Sequence, residues 1–167
     1  MPVPHVRFTI LLTVAGALVV GCGGSSSPTS PTPIPLTQAQ IQARYTAAAT
    51  HYNQSEVQIA ASENISCDAT SATVALGACQ SALSSQRQLT IAYDNALRAI
   101  PFTSPATTDA AHLLGDDAAI EKLLEQAATA PAITVIATLQ EQVIPLLATA
   151  ATDATSLRMA IGLPAPA

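Results

Sequence analysis

The side chains able to do chemistry in this sequence fall into a few short groups. His51 stands beside Tyr52, with Tyr45 two helical turns earlier, and a His with neighbouring phenols could ligate a haem iron or another metal. Asp109 and His112 are three apart, so a helix would place both on one face. Helical bundles build di-metal centres from two Glu-x-x-His motifs and two further carboxylates. Here a single copy is present, with Asp in place of Glu, and a surface pair with Asp109 favouring a helix N-terminus is the simpler reading. Asp116, Asp117, Glu121 and Glu125 form an acidic group, read as a solvated helix face with a weak attraction for cations. Tyr45, His51, Tyr52, Asp109 and His112 are therefore the candidate ligand-binding residues. There is no Ser nucleophile elbow, no phosphate-binding Gly loop and no His-Glu metalloprotease helix. No catalytic residue, metal site or cofactor is assigned, and the chain is read as a non-enzyme.

The bulk numbers narrow the class. Aromatic residues make up only 3% and Trp is absent, whereas apolar residues make up 49%, so the core must be Ala, Leu, Ile and Val. Such a core packs helices closely and suits a bundle better than a sheet. The formal net charge is −5 and the six basic residues are scattered. Nucleic acid needs clustered Lys and Arg, and anionic lipid attracts basic segments, so neither is an electrostatic partner here.

The first residues give an address. Met1 to Arg7 carries one positive charge, Phe8 to Val20 is apolar, and Val19-Val20-Gly21-Cys22 follows. The apolar run is short for a permanent span. These three zones in this order resemble the signal peptide and lipobox of bacterial lipoproteins, with Val rather than Leu three residues before the cysteine. The resemblance implies cleavage before Cys22, a diacylglyceryl (palmitate-type) lipid on Cys22, and export to the outer face of the cell membrane, or to the outer membrane in a two-membrane host. Leu76-Gly77-Ala78-Cys79 matches the lipobox letters as well, but no charged start or unbroken apolar run precedes it.

Four domains of organisation follow: 1–21 signal peptide, 22–36 lipidated tether, 37–163 helical domain, 164–167 tail. The tether, rich in Gly, Ser, Thr and Pro, favours extended polyproline conformation and would reach about 40 Å. With Cys22 assigned to lipid, Cys67 and Cys79 remain. An even remainder in an exported protein is most simply a disulfide, closing a short loop.

The elements that must position these groups are helices. Thr37-Gln38-Ala39-Gln40 reads as a capping box opening a first helix that ends near Asn64, with Ile41, Tyr45, Ala48, Tyr52 and Ile59 on one stripe. A second helix spans about Ala72–Ala99. Gln86 and Thr90 lie on its otherwise apolar stripe and hint at a wet gap inside the bundle. A third starts near Thr107, with Gly115-Asp116-Asp117 as a weak point or break. The fourth, about Ile133–Ile161, carries the clearest stripe (Ile136, Leu139, Val143, Leu147, Ala150, Ala154, Leu157, Ile161), with a kink expected near Pro145 and an end at Gly162. The expected fold is all-α: an antiparallel up-down four-helix bundle with the first loop stapled by the disulfide.

The resulting expectation is an envelope lipoprotein, held to the membrane through its lipid anchor. Its domain is a binding or interaction module for an envelope protein or a small apolar ligand. The alternatives are a metal- or haem-binding helical domain and a structural spacer of the envelope.

Overall fold

The computed structural model describes residues 35–67 and 75–165. The signal peptide, Cys22 and most of the tether lie outside the described residues, as does the start expected for the second helix. Four helices make up the domain: α1 (Gln38–Ser66), α2 (Leu76–Arg98), α3 (Ala106–Ala128) and α4 (Ile133–Ala160). They form the all-α bundle expected from composition and periodicity, and no strand occurs among the described residues.

Local signals set the ends. Thr37 and Gln40 form the capping box: the Gln40 amide donates to Thr37 Oγ1 at 3.3 Å, and the Thr37 amide donates to Gln40 Oε1 at 2.8 Å. At the far end, Gly162 adopts φ +77°, a left-handed conformation that costs glycine little. Its amide donates to the Met159 carbonyl and the Leu163 amide to the Arg158 carbonyl, the paired bonds of a Schellman ending.

The expected break in α3 is absent. α3 runs unbroken through Gly115, because a glycine costs a helix interior only about 1 kcal/mol and Leu113, Ile120 and Leu124 are buried on either side of it. α4 contains Pro145 in its interior, and its flanking core residues Val143 and Ala150 stay buried.

α1 packs on α2, α2 on α3, and α3 on α4. The core is a continuous apolar cluster in which Leu83, Leu97, Ile136, Leu157 and Ile161 are fully buried. Cys67 and Cys79 form the disulfide, with Sγ atoms 2.04 Å apart, and tie the end of α1 to the first turn of α2. α4 is, among the described residues, the one helix long and apolar enough to cross a membrane. Ile136, Val143, Ala150 and Leu157, seven residues apart, turn its inner stripe onto the core. Leu147, expected on that stripe, is instead 45% exposed.

Candidate functional site

A closed four-helix bundle also packs its first helix on its last. Here α1 and α4 keep their backbones apart and meet through side chains at one end. The amides of Gln38 and Gln42 both donate to the Ile161 carbonyl, the latter at 2.8 Å. One turn further along α1, Tyr45 donates its hydroxyl to the Ala154 carbonyl at 3.1 Å. Beyond Tyr45 the two helices leave a cleft of about 730 Å³ between them. Its α4 wall is Val143, Ile144, Leu147 and Ala151; its base is Leu83, Ile120 and Leu124; its α1 wall is Ala49, Tyr52, Asn53, Glu56 and Glu63. Ile144 is 65% exposed, which places this large apolar side chain at the cleft mouth. The size falls within the range of small-molecule sites, and an apolar lining with a few polar groups is their usual chemistry.

Three tyrosines order the polar part. The rings of Tyr52 and Tyr93 lie 4.9 Å apart at 43°, a tilted aromatic pair. Tyr93 stands near Tyr45, whose charge raises its phenol further, while Tyr45 keeps its own proton on the Ala154 carbonyl. Burial raises all three phenols above their ordinary range, so they are neutral hydrogen-bond donors at any physiological pH. Gln86 donates weakly to the Tyr52 hydroxyl, at 3.5 Å.

Behind the tyrosines two carboxyl groups meet. Asp94 on α2 is completely buried and Asp117 on α3 is 6% exposed. Asp94 Oδ2 accepts from Arg98 at 2.9 Å, an (i, i+4) pair that offsets part of the cost of burying Asp94. Neither Asp94 Oδ1 nor Asp117 Oδ2 has a protein donor. Burial, then the Asp94 carboxyl and its charge, push Asp117 up to about 8, so Asp117 is the carboxyl that keeps the proton near neutrality. Glu63, at the cleft wall, is also raised, first by burial and then by Glu56.

Of the sequence candidates, Tyr45 and Tyr52 line the cleft. His51 and His112 are exposed and Asp109 is half-buried at the start of α3; none of the three lines the cleft. Among the described residues no three His, Cys, Asp or Glu side chains converge as a metal would require. The acidic group does not form one solvated face: Asp117 is buried, and Glu125 reaches across to Arg87 of α2 at 3.5 Å. Asp117 falls four residues after Leu113 and three before Ile120, on the buried stripe, and this spacing was the available signal. Asp94 sits in the same way between Thr90 and Leu97 on α2. Gln86, expected at a gap in the bundle, does line the cleft.

Comparison of the chain with protein-family models, curated proteins and solved structures finds no match.

Proposed function

We propose that this protein is a lipid-anchored, non-enzymatic binding module of the cell envelope, taking a small, largely apolar ligand between α1 and α4. The observation that carries the reading is the cleft itself. A bundle with an Ala- and Leu-rich core has the means to close on its fourth side, yet α4 keeps Ile144 and Leu147 exposed at the mouth of a cavity lined by apolar and aromatic side chains. The lipobox-like segment ending at Cys22 and the Pro-rich tether support a position outside the cytoplasmic membrane, with the bundle held away from the lipid surface.

The test is titration of a neutral apolar fluorophore, N-phenyl-1-naphthylamine, into the chain from Gly23 onward. That chain keeps every described core residue and omits the lipidated cysteine. Saturable binding with enhanced emission is expected. Ile144→Ser with Leu147→Ser should weaken it about 30-fold, as losing two apolar contacts of about 1 kcal/mol each at partly exposed positions implies. Non-saturable binding, or binding indifferent to both substitutions, removes the cleft from consideration. For the anchor, Cys22→Ala should leave the precursor uncut and without lipid label; normal processing of that variant would overturn the lipoprotein reading.

A further inference from the structure

We propose that the cleft is built for an amphipathic amine, its apolar body held between Ile120, Leu124 and Val143 and its ammonium group received at Asp117. This deepens the ligand-binding reading and rests on it. The buried side-chain atoms of the lining that lack a partner are one-sided. Asp117 Oδ2, Gln86 Oε1 and Glu63 Oε1 belong to cleft residues, are sealed from solvent and have no protein donor. All three are acceptors. The buried donor without an acceptor among the described residues, Arg87 Nε, is not a cleft residue. A buried acceptor without a partner is costly, so the complementary ligand is one that brings several N–H groups to this end of the cleft.

Charge points the same way. The ionisable acids on the lining are Glu56, Glu63 and Asp117, against a single cation, Arg158, whose Nε is engaged by the Pro164 carbonyl. Asp117 is more than nine-tenths buried and reaches the cleft from α3, while Asp94 behind it is already matched by Arg98. An ammonium entering beside Asp117 gives Oδ2 the charged donor it lacks and has N–H groups to spare for Gln86. The adjoining Tyr52–Tyr93 pair offers ring faces to the same cation. A carboxylate ligand would meet the opposite: three unpartnered acceptors and buried acidic groups.

The experiment is displacement of the fluorophore from the chain starting at Gly23 by three probes of equal length: n-octylamine, 1-octanol and octanoate. The amine is expected to compete at least about 10-fold better than the alcohol, the gain of a charge-assisted bond over a neutral one, and octanoate worse than either. Asp117→Asn should bring the amine to the level of the alcohol while the fluorophore still binds. Glu63→Gln, at the less buried wall, should reduce the preference in part and serves as the second variant should Asp117→Asn fold poorly. Equal competition by amine and alcohol, or an amine preference untouched by both variants, overturns the proposal while leaving the apolar cleft in place. Failure of the fluorophore to bind at all defeats the cleft reading itself.

Discussion

The two ends of the α1–α4 seam are made from the same pair of helices and behave oppositely. At the closed end, α1 begins with a capping box, α4 finishes in a Schellman turn, and Gln38, Gln42 and Tyr45 donate to α4 carbonyls. At the open end those polar clasps are missing. α1 carries Val57 and Ile65 at 67% and 80% exposure, α4 carries Val135, Ile144 and Leu147, and α1 is secured to α2 through Cys67–Cys79 rather than to α4. The difference teaches that the seam is not a weakly packed version of a closed bundle. One end is held by directional bonds to backbone carbonyls, and the other is fastened by a covalent tie to α2. The cleft lies between these two fastenings.

Breaking the disulfide should have the largest effect. Replacing Cys67 and Cys79 by Ser removes a tie closing a loop of about a dozen residues and leaves a fully buried position polar, for a loss of about 2–4 kcal/mol. Thermal unfolding should show it. Hydrogen exchange should rise along the second half of α1 more than at Gln38–Tyr45. Equal acceleration at both ends would mean that the closed end has no independent hold.

The buried acids give the next effect, through pH. Asp117 is raised in the folded chain to about 8, against an ordinary carboxyl pKa near 4 when unfolded. Its folded form therefore binds a proton the unfolded form lacks across that window. Stability is fully present below about pH 4 and is lost as pH rises through about 8. The charges of Asp94 from α2 and of Glu121 and Asp116 from α3 act on Asp117 in the same direction, while Arg98 offsets the rise of Asp94 in part. The melting midpoint should be higher at pH 6 than at pH 8.5, by roughly 1–2 kcal/mol of stability. Asp117→Asn should flatten the difference. A midpoint that rises with pH would contradict a raised Asp117 carboxyl.

At the closed end, Gly162→Ala should cost about 1 kcal/mol, since alanine is strained at φ +77° and its Cβ would come within 3.2 Å of the Gln42 amide. A chemical-denaturation midpoint unchanged by the substitution would show that the Schellman turn does not govern how Ile161 meets α1.

Much of this architecture was legible in the residues. Thr37 and Gln40 announce the start of α1 and Gly162 the end of α4, because capping depends on side chains within a few positions of each other. The four helices follow from apolar spacing, and the Cys67–Cys79 pairing from counting. Leu147 and Asp117 were misread for a shared reason: a stripe says which residues are on one face of a helix, not whether a neighbour covers that face. Leu147 lies on α4's inner stripe but has no α1 beside it. Asp117 has the spacing of a core residue, and its type suggested solvent.

The sequence by itself determined the helices, their ends, the bundle class and the cysteine pair, all of which rest on local interactions or on composition. Only the tertiary structure decided that α1 and α4 part beyond Tyr45, that Asp94 and Asp117 from two helices are both buried, and that Gln86 and Glu63 line the same cleft. Those facts depend on the distances and angles between helices, which arise from the sum of many weak packing contacts and leave no pattern in any single segment.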